Sequence, residues 1–271
     1  KTRTRPATPP ATRKTRTRPA TALCWEASSR TPAHPLNVAN ANDDDETPNE
    51  STTALKTAAE NFRNTAENVT KYVIKIINKV KGSTLNVTLD NVNINSNLAA
   101  LSVKGEGNTL IKLEGSNTLT SGNQYAGLEH NGKSDGGKDT GRLTITSGTD
   151  DDAVIFLMLL IALPPRLTAT GGGASAGIGS SWSTSGSYTG AGTIKIVGGD
   201  IKAIGASSAA GIGSGNGATS DTDIIISGTA KIEAESDYYG AGIGSGKESS
   251  GATNIEITGD ALVSADSSGG A

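Results

Sequence analysis

The chain has 271 residues, among them 35 Gly but only 3% aromatic residues, one Met and one Cys. That length holds a sizeable core, yet so much glycine and so few large side chains speak against a helical bundle or a Rossmann-type enzyme, and a lone cysteine excludes a disulfide framework or a Cys-based zinc site. The net charge of −3 hides a division, because residues 1–42 carry eight Lys or Arg against Glu26 while the acidic excess lies beyond them.

Residues 1–50 read as a disordered tail. KTRTRPAT at 1–8 recurs at 14–21, six prolines precede Asn42, and DDDE at 43–46 reverses the charge. Almost nothing there is apolar, so burial cannot offset the entropy of ordering it. The basic run suits a polyanion-binding arm, but a solvated linker or an out-of-frame translation is the favoured reading; no specific nucleic-acid partner is expected. Residues 51–82 predict an amphipathic capping helix. Leu55, Ala59, Phe62, Ala66, Val69, Val73, Ile76 and Val80 fall on one helical face, with Ser51 or Thr52 as N-cap and Gly82 as the stop. Within it, 71–81 also fits a strand, because YVIKI is rich in β-branched residues.

From residue 83 the chain repeats. AGIGS at 176–180 and AGIGSG at 210–215 and 241–246 place Ile178, Ile212 and Ile243 in one role, and Leu128 in YAGLEHNG joins them. Two strand patterns lie between these glycine corners. The first aligns Leu89, Leu113, Ile145, Ile196, Ile226 and Ile257; the second contains NVNI, NTLT, RLTAT, DIKAI, AKIEA and ALVSA. Six such units, none able to bury its own apolar face alone, predict an all-β fold: a parallel β-helix (β-solenoid) of about six turns over 83–271. DDAVIFLMLLIALPPR at about 151–166 interrupts the pattern as an apolar insertion or misread segment; its 11-residue apolar core is too short to span a bilayer, and no transmembrane segment is expected. ALVSADSSGGA stops where the next AGIG would start, which predicts a fragment with an unpaired end open to end-to-end self-association.

Candidate chemistry is sparse. His130 reads as a solvated loop histidine rather than the base of a triad with Asp135, and Cys24 as an incidental thiol. Asp200, Lys202, Lys195, Lys231, Glu233 and Glu235 come from neighbouring units and would suit a lyase-like patch, yet their alternation is that of any solvent-facing strand. Calcium at Asp221, Asp223 and Asp237 is a weak option; no other cofactor or metal is expected. Tyr125, Trp182, Tyr188, Tyr238 and Tyr239 all lie near glycine corners, where flat rings among Asn, Ser and Gly form a glycan-stacking surface or shield the corners from solvent.

AGIGSG corners beside strands such as TIKIVGGDIKAI resemble tandem repeats of adhesin-like, carbohydrate-binding-domain-containing β-helix proteins of Gram-positive bacterial surfaces. The resemblance implies an extracellular or cell-surface location and brings no catalytic motif. The expected function is therefore a non-catalytic surface module, adhesin or spacer, binding a polysaccharide or a host or cell-wall glycan. The alternatives are a polysaccharide lyase-like β-helix enzyme and a self-associating fibre subunit.

Overall fold

The computed structural model describes residues 73–133, 137–147, 164–182 and 189–268, together with the backbone of three short strands, Cys24–Trp25, Leu36–Ala39 and Lys56–Thr57. No helix occurs among the described residues. The chain winds into a parallel β-helix of six coils, spanning 74–95, 101–123, 128–172, 178–205, 212–236 and 243–267. Each coil gives one strand to each of three sheets. In coil 4 these strands are Ile178–Gly179, Gly192–Ile196 and Asp200–Gly205. The first belongs to a seven-stranded sheet, the second to an eight-stranded sheet and the third to a six-stranded sheet. Leu36–Ala39 extends the seven-stranded sheet, and Lys56–Thr57 and Cys24–Trp25 extend the eight-stranded one.

Alternation of buried and outward residues makes these segments strands, and stacking of like on like makes them a coil. One inward ladder runs Ile74, Leu101, Leu128, Ile178, Ile212 and Ile243. A second runs Val87, Ile111, Ile145, Ile196, Ile226 and Ile257. The third narrows from Ile94 and Leu119 to Ala169, Ala203, Ala234 and Ala265. Through coils 1 to 5 the three meet in one apolar core between the sheets, and Ile243 packs against it.

Two expectations are corrected, and one left open is resolved in part. Ile145 stacks on Ile111, where the sequence pattern aligned it with Leu113. A two-residue shift leaves every side chain on its own face, so hydrophobic pattern alone does not separate the two registers. The Ile-Gly pair of AGIGSG is a strand in its own right, giving three sheets where two strands and a corner were expected. Its glycine is required: Gly213 has φ +136°, and a Cβ there would meet the Gly244 carbonyl oxygen at 1.9 Å. Within 71–81, which the sequence left open between helix and strand, Ile74–Ile77 is a strand that opens coil 1 with Ile74 and Ile76 buried. Lys56–Thr57, inside the predicted helix, is also extended. The rest of the predicted helix before Val73, and the tail apart from its two short strands, lie outside the described residues.

The apolar excursion leaves the coil at a corner. Ile145 and Leu167 are 22 residues apart where the equivalent Ile196 and Ile201 are 5 apart, so seventeen residues are additional. Most of them, 148–163, lie outside the described residues. Arg166, placed in the insertion by its sequence, already belongs to the six-stranded sheet, pairing with Ser116 and Asp200.

Asn117 stands at an inward position that Leu167, Ile201 and Ile232 fill in later coils. It is fully buried and satisfied: Oδ1 accepts from Val92 N at 2.9 Å, while Nδ2 donates to the carbonyls of Leu89, Glu114 and Arg166 at 3.4, 3.0 and 3.2 Å. Those partners lie in coils 1, 2 and 3, so a single side chain fastens three coils. Replacing it by Ala leaves buried backbone groups unpaired, and Asn117→Ala is expected to lower stability by about 2–4 kcal/mol. Urea denaturation checks this; a change below about 0.5 kcal/mol would show that the network does not hold the coils.

Candidate functional site

The seven-stranded sheet is only two residues wide in coils 4 to 6, and the loop after each Ile-Gly strand folds back across it. Serines lock the stacked loops, with Gly215 N donating to Ser180 Oγ at 2.8 Å and Gly246 N donating to Ser214 Oγ at 3.0 Å. Each loop then reaches the preceding corner: Trp182 N donates to Ser175 Oγ at 2.9 Å, Asn216 N to the Ala174 carbonyl at 2.9 Å and Lys247 N to the Ser208 carbonyl at 2.7 Å. One edge of the rod is therefore lined by loop residues from one side and corner residues from the other.

Four of the five predicted stacking residues fall on this edge. Tyr125 sits at the corner after Ser116–Asn123, and the adjacent Ala126 N donates to Ser181 Oγ at 2.9 Å, bringing Trp182 close by. Tyr238 and Tyr239 occupy the corresponding corner after Lys231–Ser236; they are 59% and 58% exposed, with ring centroids 5.8 Å apart and planes tilted by 43°. Tyr188 lies outside the described residues. Sequence reasoning passed over Lys247, whose Nζ lies 5.0 Å from the Tyr239 ring centroid, a cation–π contact. A signal existed: Lys247 follows AGIGSG as Trp182 follows AGIGSS.

His130 is not a solvated loop residue. It ends the strand Leu128–His130, points inward over Val103 and is fully buried. Nδ1 lies 2.7 Å from the Ala191 carbonyl oxygen and Nε2 lies 2.8 Å from that of Gly141, so the ring lies between the loops of two coils and, when neutral, donates to one of them. Burial holds its pKa below the ordinary histidine range, outweighing the two carbonyls, which favour the charged ring. Glu129, next along the strand, faces the other way and accepts from Ser181 Oγ at 2.7 Å. Consecutive strand residues point to opposite faces, so histidine and carboxylate are kept apart and form no triad. Asp135 lies outside the described residues.

The charged patch assembles only in part. Asp200, Lys202, Lys231, Glu233 and Glu235 share the outward face of the six-stranded sheet, whereas Lys195 lies in the eight-stranded one. Asp200 pairs with Arg166 at 2.8 Å and Lys231 at 3.7 Å, and Lys202 pairs with Glu233 at 2.7 Å and Glu235 at 3.0 Å. Hydrogen bonds to these two glutamates hold the Lys202 ammonium above the ordinary lysine range. The calcium candidates are dispersed: Asp221 Oδ1 accepts from Ala252 N and Asp223 Oδ1 from Asn254 Nδ2, while Asp237 lies at the tyrosine corner. Among the described residues no three His, Cys, Asp or Glu side chains are grouped to hold a metal ion, and no helix is long and apolar enough to cross a membrane.

Compared with protein-family models, curated proteins and solved structures, the chain matches none.

The histidine gives a pH dependence whose sign is determined. With the folded pKa below the unfolded value of about 6.5, the unfolded chain takes up the proton first on acidification. Stability is therefore expected to fall as pH drops from 7.5 to 5.5, and the fall should flatten in His130→Gln. Urea titrations across that range measure it; stability rising on acidification would show a charged ring in the fold.

Proposed function

We propose that this protein is a non-catalytic β-solenoid module of a bacterial cell surface, a rigid spacer or adhesin that binds glycans along its aromatic edge. The observation that carries the reading is the exposed Tyr238–Tyr239 pair with Lys247 beside it, on the same edge as Tyr125 and Trp182. Exposed rings among serine and asparagine suit sugars, whose C–H faces stack on aromatic planes while their hydroxyls meet polar neighbours. The continuous hydrogen-bonded ladders support such a role, because a stiff support positions contact residues without ordering them on binding. The extracellular setting rests on the resemblance of the AGIGSG corners.

The lyase-like reading asks the six-stranded face for an uncharged lysine or arginine as base. Lys202 there donates to two carboxylates that favour its charged form, and Arg166 is engaged by Asp200. That electrostatic arrangement favours the binding module over the enzyme.

A glycan array combined with an ultraviolet assay for new C=C bonds tests the assignment. Binding without turnover is the expected result. Trp182→Ala and Tyr239→Ala should each weaken binding by about tenfold, or about 1.4 kcal/mol, with unchanged circular dichroism. Turnover of any bound glycan would overturn the reading, and binding unaffected by both substitutions would remove the site from this edge.

A further inference from the structure

The edge has an internal order that the individual residues do not reveal. Trp182, Asn216 and Lys247 each stand four residues after the inward isoleucine of coils 4, 5 and 6. Their loops stack backbone on backbone: a Cβ on Gly215 would meet Ser181 C at 3.1 Å, and one on Gly246 would meet Asn216 N at 2.8 Å. Gln124, Ala174, Ser208 and Tyr239 form a second column, each four residues before the inward Leu or Ile of the next coil. Hydrogen bonds from Asn216 N to Ala174 and from Lys247 N to Ser208 join the two columns side by side.

Both columns run parallel to the coil axis. Aromatic rings lie near their ends, Trp182 with Tyr125 beside Gln124 at one and Tyr239 with Tyr238 at the other, and among the described residues the column members between them are Ala174, Ser208 and Asn216. The two tyrosine corners are three coils apart, roughly 14 Å at the strand spacing. The column members between them are small or short, which suits an extended polymer that spans the middle and reaches both ends. The charge along the path is balanced or negative. Lys247 lies 3.2 Å from Glu248, Asp237 adjoins the tyrosine pair, and the body beyond residue 42 is acidic. A polyanion meets repulsion there.

We propose, resting on the glycan reading above, that the ligand is an uncharged, unbranched polysaccharide lying along the rod axis. Its chain stacks on Tyr125 and Trp182 at one end and on Tyr238 and Tyr239 at the other, with hydroxyls over Ser207, Ser208 and Asn216 between. A ligand crossing the rod meets one aromatic group only.

Calorimetric titration of the whole chain with cello-oligosaccharides and chito-oligosaccharides of two to six sugars, and with oligogalacturonides of equal length, tests this. Affinity for a neutral series should rise about tenfold or more from the dimer to the longest oligomer. Trp182→Ala or Tyr239→Ala should each abolish that rise, and Trp182→Phe and Tyr239→Phe should restore it. Affinity independent of length, or sensitive to one end alone, overturns the axial arrangement while leaving glycan binding standing. Binding confined to oligogalacturonides overturns the neutral ligand. If neither these probes nor any glycan of the array binds, the glycan reading itself falls.

Discussion

Parallel pairing of every coil on the next is the interaction from which the rest of this structure follows. Strands about 4.8 Å apart place each inward side chain directly over its equivalent, so each ladder position must be filled in every coil by something that packs on its own kind. The Ile178–Ile212–Ile243 stack satisfies this with one residue type, and the alanines of the six-stranded sheet satisfy it where the interior is narrow. Corners escape the constraint. The seventeen additional residues are tolerated because the chain leaves after Ser147 and returns at Pro165, which lie against Gly198 and Gly199 of the next coil.

Among the buried polar residues, two with large side chains break the apolar rule without breaking the ladder. Asn117 and His130 occupy inward positions that Leu167 and Val103 hold in neighbouring coils, and both turn to backbone carbonyls at the corners. Hydrogen bonds so directed are satisfied in only one register, whereas aliphatic ladders accept shifts of two residues. Both residues sit around coils 2 and 3, beside the longest interruptions of the repeat, where register is least secured by sequence similarity.

The proposed binding site is consequently a matter of corners and loops. The outward face of the six-stranded sheet neutralises its own charges in solvent-exposed cross-coil pairs and presents little free charge to a ligand. The edge over the seven-stranded sheet differs because its strands are so short: loop and corner come within hydrogen-bonding distance of each other, and residues far apart in sequence converge. Ala126 and Ser181, 55 residues apart, meet in this way and bring together the segments that carry Tyr125 and Trp182, and Lys247 reaches the Tyr239 ring.

Much of the architecture is legible in the sequence because it is periodic: the coil number, the Leu128–Ile178–Ile212–Ile243 ladder, both longer strand sets and the apolar interruption follow from spacing alone. The gathering of aromatics near the glycine motif is equally visible, since a repeat places equivalent positions on one edge. Only the tertiary structure decided the remainder. A two-residue Ile-Gly strand is too short to show alternation, Ile111 and Leu113 share a face and so offer two registers, and YVIKI suits helix and strand until a neighbouring coil pairs with it. The burial of His130 depends on a carbonyl 61 residues away. Periodicity is a local property that a sequence records, whereas register, burial and the meeting of loops are settled by which coil lies on which.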